Sequence, residues 1–291
     1  MKVLLVYNPY SSRNKEKRLN KIYNLLSIHF DDITIYKSIY KNSITDYLIK
    51  YSDEFDLLII LGGDGTIHEV ICALENVNKP PLLFVFPSGG CNDISKSLGL
   101  SKNINRNIKV LLKNNIREVP SFRINNSYFL YAMAIGMMSD ASYNTSYRLK
   151  YHFKRLAYYI YCLKAFFKAK PTRLSINNKA YDKLMLLLLL HTKSLAGYKI
   201  KDGSIIDEYL VLVGFNGNKL ISLFMFILFL FFNRTKNLLL LENNNFKIEL
   251  FDSTAINVDG ERLDTNNEID ISISKNFSFI SKNWIKKDKL G

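Results

Sequence analysis

Five residues, Gly62-Gly63-Asp64-Gly65-Thr66, follow the apolar run Leu57–Leu61 and precede a helical pattern, Ile67-His68-Glu69-Val70-Ile71. Three glycines let the backbone turn sharply and approach a phosphate with no Cβ in the way. A helix starting there would offer free N–H groups and a positive dipole end to the anion. Asp64 cannot attract phosphate by charge, so the chemistry open to it is to hold Mg²⁺ or a bound water. A plain strand-to-helix turn capped by Thr66 would account for one or two of the glycines, and poorly for the aspartate among them.

Three further segments carry polar groups at strand ends or turns: Tyr7-Asn8-Pro9-Tyr10-Ser11-Ser12, Pro87-Ser88-Gly89-Gly90-Cys91-Asn92-Asp93 and Val258-Asp259-Gly260-Glu261. Asp259-Gly260 is a strong hairpin signal, and Glu261 next to it reads locally as an ordinary strand residue. The four histidines, His29, His68, His152 and His191, share no ligand-like spacing and are assigned no chemistry.

The elements that must position these groups follow from pattern. Val3–Tyr7, Ile33–Tyr36, Leu57–Leu61 and Leu82–Phe86 are short apolar runs of buried-strand type, with helical candidates at Lys15–Ile28, Ser43–Tyr51 and Thr66–Leu74. Such alternation implies a mostly parallel sheet with helices on both faces, and ligands in such sheets gather at the carboxyl ends of the strands. Beyond about residue 120 the pattern changes. Asn125-Asn126, Asn177-Asn178 and Asp259-Gly260 mark hairpin turns among strand candidates at Tyr128–Ala134, Leu184–Leu190, Tyr209–Phe215, Phe246–Phe251 and Ile269–Ile273. The expected organisation is an α/β domain over residues 1–120 and an antiparallel β domain over residues 121–291. One long helix, Tyr147–Ala169, would lead into the second.

Taken in order, the four segments resemble the signatures of the diacylglycerol kinase catalytic domain family, which includes bacterial lipid kinases, sphingosine kinases and ceramide kinases. The glycine loop alone is also similar to loops in NAD kinases and phosphofructokinases. The Asn-Pro opening, the Pro87–Asp93 segment and the late Asp-Gly-Glu favour the lipid kinases. The resemblance implies ATP and Mg²⁺ as cofactors, a C-terminal β-sandwich with ATP in the cleft between the domains, and a C-terminal end that packs back on the first domain. It places the nucleotide at Asn8, Pro9, Tyr10, Ser11, Ser12, Gly62, Gly63, Asp64, Gly65, Thr66, Glu69, Gly89, Gly90 and Asn92. Asp64 would organise Mg-ATP, and Glu261 would serve as the base for the lipid hydroxyl. Asp202 would supply a side-chain ligand to a second, structural Mg²⁺, with Lys199 and Ser204 giving backbone oxygens. The chain departs from the family at Ser12 (for Gly), at Gly90 (for Thr, losing a hydroxyl), at Met138 (for Gly) and at His191-Thr192 (for Asn-Gly).

Composition fits this reading. The 291 residues are 48% hydrophobic and 23% charged, as in a globular chain. Cys72, Cys91 and Cys162 lie far apart and suggest neither a disulfide framework nor a metal site, as in a reducing cytoplasm. The opening apolar run is too short for a signal peptide and reads as a first strand. The net charge of +14 permits nucleic acid, anionic membrane or phosphate ligands. Much of it falls between Asp140 and Asp182, where no acidic residue occurs.

In that stretch Leu149, Phe153, Leu156, Ile160, Leu163 and Phe167 would share a helical arc of about 80°, with Lys150, Lys154, Lys164 and Lys168 on a neighbouring arc. The stripe could face the β domain and the lysines anionic lipid. Leu223–Phe232 is ten apolar residues, about 15 Å of helix, too short to span a membrane, and is expected as an interfacial segment near the lipid entrance. The expected protein is cytoplasmic and peripherally membrane-associated, without signal peptide or transmembrane helix. Its partners would be a lipid substrate and an anionic membrane surface, not nucleic acid, and a homodimer is compatible with it. Phospholipid metabolism is the implied setting. The rivals are a catalytically silent membrane-binding regulator of the same fold and an NAD kinase-like enzyme.

Overall fold

The structure, a computed structural model, describes residues 1–9, 15–40, 42–136, 170–192, 194–195, 198–199, 210–232, 238–252, 256–263 and 266–282. The helix expected at Tyr147–Ala169, the positions Tyr10, Ser11, Ser12 and Met138, and Asp202 with Ser204 lie outside the described residues.

The first region alternates strands and helices: β1 (Lys2–Tyr7), α1 (Lys15–Leu26), β2 (Asp32–Lys37), α2 (Ser43–Tyr51), β3 (Leu57–Gly62), α3 (Asp64–Leu74), β4 (Leu82–Pro87), α4 (Asp93–Ser97) and α5 (Ile104–Lys113). The strands pair in parallel in the order β4-β3-β1-β2. Val3–Val6 and Leu57–Leu61 are wholly buried, which is why these strands read as unbroken apolar runs rather than alternating ones. At the edge, β2 keeps partly exposed positions throughout. The glycine loop enters its helix two residues earlier than the pattern predicts, at Asp64. Helices α4 and α5 have no counterpart in the sequence reading. The Asn103 side chain caps α5 by accepting from the Arg106 N–H at 3.0 Å.

The rest is strand-rich: β5 (Ile116–Ile124), β6 (Ser127–Phe129), β7 (Ala132–Gly136), β8 (Thr172–Ile176), β9 (Lys179–Leu190), β10 (Ser194–Leu195), β11 (Tyr198–Lys199) and β12 (Leu210–Asn216). Helix α6 (Lys219–Phe232) follows, then β13 (Leu239–Asn243), β14 (Phe246–Leu250), β15 (Ile256–Val258), β16 (Glu261–Leu263) and β17 (Glu268–Ile280). The pairings here are antiparallel. The turn signals act as expected. Asn177 and Asn178 have φ of 48° and 66°, and Asp259 and Gly260 have φ of 50° and 95°, the left-handed pairs that close two-residue hairpins.

Among the described residues three buried clusters form: one between β9, β12 and the helix that follows β12, and two larger ones, the first around the parallel sheet and the second within the antiparallel region. Strand β17 belongs to both larger ones. Ile269 and Ile271 pack in the second core, while Phe277, Phe279 and Ile280 pack in the first, where Phe279 pairs in parallel with Leu83 of β4. Its pairing with β5 slips between Ile273 and Asn276, and the slipped residues reach α3. Lys275 Nζ donates to the carbonyls of Leu74 (3.3 Å), Glu75 (2.7 Å) and Val77 (2.7 Å), satisfying the C-terminal end of α3. Ser274 Oγ donates to Glu75 Oε2 at 2.7 Å, and Ser121 Oγ donates to Glu75 Oε1.

Helix α6 resolves the all-round apolar segment into two halves. Phe229 is buried, and Phe226 and Phe229 meet Phe215 of β12 edge-on, with ring centroids 5.6 and 5.9 Å away. On the opposite half Leu220 is 72% exposed and Phe224 61%, with Ile221 and Ile227 exposed beside them.

Candidate active site

The loops after β1, β3 and β4 lie side by side at the carboxyl end of the parallel sheet. The Asn8 N–H reaches Leu61 O at 3.5 Å, and the Ser88 N–H reaches Gly62 O at 2.7 Å. Gly63 and Gly89 touch across this seam. A Cβ on Gly89 would lie 2.7 Å from Gly63 Cα, closer than real Cβ contacts come. The two glycines are therefore required by contact between backbones, and the result is a cradle lined by main chain. Gly90 is different: nothing lies within 4 Å of where its Cβ would be.

Asn92 shapes the third loop. Its Oδ1 accepts from the Gly89 N–H at 2.7 Å and its Nδ2 donates to Gly89 O at 2.9 Å. The buried Asn92 takes the left-handed conformation, φ 55° and ψ 48°, at the entry to α4. Asp64 braces the same turn, with Oδ1 accepting from the Ile94 N–H at 3.1 Å and the carboxylate also meeting the Asn92 and Asp93 amides. Burial, and then the charge of Asp93, outweigh these donors and push the Asp64 carboxyl up to about 6. Glu69 serves elsewhere, since its Oε1 accepts from the Ile44 N–H at 3.2 Å at the start of α2.

The β15–β16 hairpin brings the distant Asp-Gly-Glu segment here. Glu261, first residue of β16, is exposed, and its Oε1 lies 3.9 Å from where a Cβ on Gly65 would be. Asp259 is buried and fully engaged. Its Oδ2 accepts from the Leu130 N–H at 2.6 Å, and its Oδ1 from the Tyr131 and Ala132 N–H groups, each at 3.0 Å. His68 of α3 donates through Nδ1 to Asp259 Oδ2 at 3.0 Å, and its Nε2 lies 3.5 Å from Cys72 Sγ. Burial opposes charge on this imidazole, but the hydrogen bonds and charges of Asp259 and Cys72 prevail and push it up to about 10.

Several of these groups escape a reading of the sequence. Asp93 and the Tyr131 phenol, raised well above its ordinary value by burial and by Asp64, Asp259 and Asp93, stand among the carboxylates. Arg18 of α1, half-buried, donates through NH2 to Pro87 O at 3.0 Å beside the third loop. The neighbour of Asn92 could have suggested Asp93; nothing local marks Tyr131, His68 or Arg18. Of the proposed second metal site, Lys199 lies in β11, paired with Ser194 of β10.

Residues 2–124 match the diacylglycerol kinase catalytic domain model. A diacylglycerol kinase of Staphylococcus saprophyticus is 28% identical over 216 residues, 72% of this chain and 71% of that one. One from Staphylococcus epidermidis is 33% identical over 165 residues, 55% of this chain and about half, 52%, of the relative. Among solved structures, a diacylglycerol kinase from Bacillus anthracis shares the fold with a TM-score of 0.75 at 23% identity, covering 97% of each chain. A yeast NADH kinase is more distant, with a TM-score of 0.57 at 11% identity over 99% of this chain and 85% of that one.

Proposed function

Because this chain belongs to the diacylglycerol kinase catalytic domain family, we propose that it phosphorylates the hydroxyl of a lipid, diacylglycerol by default, with ATP as the donor and Glu261 as the base. The observation that carries this reading is the approach of Glu261 to Gly65, which sets an exposed carboxylate from the antiparallel region over the phosphate-binding turn of the parallel one. Transfer to an alcohol needs a group that accepts or orients the hydroxyl proton within hydrogen-bond reach, beside a cradle for the phosphates. In this assignment the main chain around Gly62–Gly63 and Ser88–Gly90 cradles the phosphates, and Arg18 adds positive charge beside the third loop.

The donor chemistry fits Mg²⁺. After burial, the charge of Asp93 is the next cause that raises the Asp64 carboxyl, a conflict that a divalent cation relieves. An ionised carboxylate offers about four lone-pair sites, so the bonds from the Asn92, Asp93 and Ile94 amides leave Asp64 able to ligate. Among the described residues no three His, Cys, Asp or Glu side chains form a metal cage. Mg²⁺ at phosphate sites takes one or two carboxylates, with phosphate and water completing its shell. When bound, it supplies charge neutralisation to the transferring phosphoryl group.

The test is the purified protein with labelled ATP, Mg²⁺ and mixed micelles containing diacylglycerol. Labelled phosphatidic acid is the expected product. No labelled product from any alcohol-bearing lipid would instead favour the silent regulator, for which the departures at Ser12, Gly90 and Met138 are the motivating features.

The substrate lies in membranes, and α6 offers the means of reaching it. Among the described residues no helix is long and apolar enough to cross a bilayer. The exposed half of α6 presents Leu220, Ile221, Phe224 and Ile227 to solvent, as an interfacial helix would to lipid. Leu220→Asp combined with Phe224→Asp is expected to weaken liposome binding at least tenfold, given about 1.5–3 kcal/mol per large apolar side chain buried, with the unfolding midpoint unchanged. Equal partitioning of variant and parent onto anionic vesicles would remove α6 from this role. Phe226 and Phe229 are unsuitable targets, because they hold the helix to β12.

A further inference from the structure

The β15–β16 hairpin meets α3 at two neighbouring places. One is the approach of the exposed Glu261, through Oε1, to Gly65. The other is the hydrogen bond between His68 and Asp259, made inside the protein at 3.0 Å. His68 lies one helical turn beyond Asp64, and Asp259 opens the two-residue turn after which Glu261 begins β16. The pair therefore joins the helix that opens on the phosphate cradle to the hairpin that carries the base.

Asp259 is well suited to transmit position. Three consecutive amides, Leu130, Tyr131 and Ala132, clasp its two oxygens, and its own N–H donates to Ala132 O at 2.8 Å. This fixes the hairpin tip to the segment between β6 and β7. It does not by itself fix the tip to α3. His68 supplies that bond, and its geometry is constrained on the other side by Cys72, one turn further along the same helix.

We propose that His68 is a positioning residue for phosphoryl transfer: its Nδ1–H bond to Asp259 holds the β15–β16 hairpin on α3 and so keeps Glu261 over the glycine loop. The turnover part of this inference rests on the lipid kinase reading above; the structural part does not. A displacement of about 1 Å at a reacting group can cost about 100-fold in rate. The nucleotide cradle, formed by other loops, is left intact.

The test compares His68→Leu with His68→Asn. Leucine fills similar space without a donor, whereas the asparagine amide can place an N–H near the position of Nδ1. In the lipid assay His68→Leu is expected to lower kcat about 100-fold with the apparent KM for ATP unchanged, and His68→Asn to retain most of the turnover. Amide hydrogen exchange, which needs no activity, provides the second readout. His68→Leu should speed exchange in the segment 256–263 and at Leu130–Ala132, and His68→Asn should not. Unchanged exchange in His68→Leu overturns the proposal, whatever the activity of the parent. So does an equal loss of kcat in both variants, which would mean that the imidazole acts in some way other than by donating to Asp259. Altered exchange in His68→Leu, in a parent that phosphorylates no lipid, supports the link to the hairpin and removes the kinase reading instead.

Discussion

Exchanging Glu261 for glutamine is expected to lower lipid phosphorylation about 1,000-fold, within the range for loss of a general base, while the apparent KM for ATP and the unfolding midpoint hold. The side chain is exposed, so the fold does not depend on its charge. Its amide counterpart is nearly identical in size and cannot take up the proton. Glu261→Asp, one methylene shorter, keeps the carboxylate but draws it back from Gly65, and should fall between the two. The measurement is initial rate against both substrates, with circular dichroism confirming the fold. Glutamine variants within tenfold of the parent would assign the proton to another group; Asp93 would then be the next to replace, because it stands at the cradle itself and holds Lys96 at 3.8 Å.

Gly89→Ala is also expected to be damaging, for a reason unrelated to proton transfer. The added methyl would sit 2.7 Å from Gly63 Cα and 2.9 Å from Asn92 Oδ1. Neither can retreat easily. Gly63 is main chain in the seam between two loops, and Asn92 is held by its two bonds to Gly89 itself. Forcing the loops apart should cost about 1–3 kcal/mol of stability, as overpacking does elsewhere. It should also reduce kcat/KM for ATP by at least about 100-fold through lost alignment of the cradle. Gly90→Ala is the matched control. Its methyl meets nothing within 4 Å, and the glycine is not in the left-handed region, so stability should be unaffected. Thermal unfolding and ATP kinetics on the two variants separate the outcomes; equal behaviour would show that the Gly63–Gly89 approach is not essential.

The parallel sheet was legible in the sequence because its strands are buried on both faces. That demand turns Val3–Val6, Leu57–Leu61 and Leu83–Phe86 into apolar runs no surface element would carry. The hairpin turns were legible because positive φ is tolerated by few residues, and Asn177-Asn178 and Asp259-Gly260 are among them. What the residues at the site do was much less visible. Glu69 follows the glycine loop as a nucleotide ligand would, yet it caps α2. Asp64 reads as a ligand waiting for Mg²⁺, and in the fold it already holds the entry to α4. His68 looks like any polar residue on a helix until the chain returns with Asp259. Local pattern records burial and backbone conformation; the partner of a polar side chain is decided by which segments the topology brings together. The same limit applies to α6, whose composition is apolar all round. Only the placement of β12 decides which half is covered and which is left exposed.

The shared strand β17 also sets an order of events during synthesis. As the ribosome delivers residues 2–124, the parallel sheet has its first four strands but no neighbour on the outer side of β4, and the core lacks Phe277, Phe279 and Ile280. An open strand edge of this kind is a template for misplaced pairing. The cradle of loops after β1, β3 and β4 is therefore encoded early but finished late. It becomes secure when the strand that completes the antiparallel half also closes the edge of the first sheet, so a nascent chain passes through a stage at which both halves depend on the same unsynthesised segment.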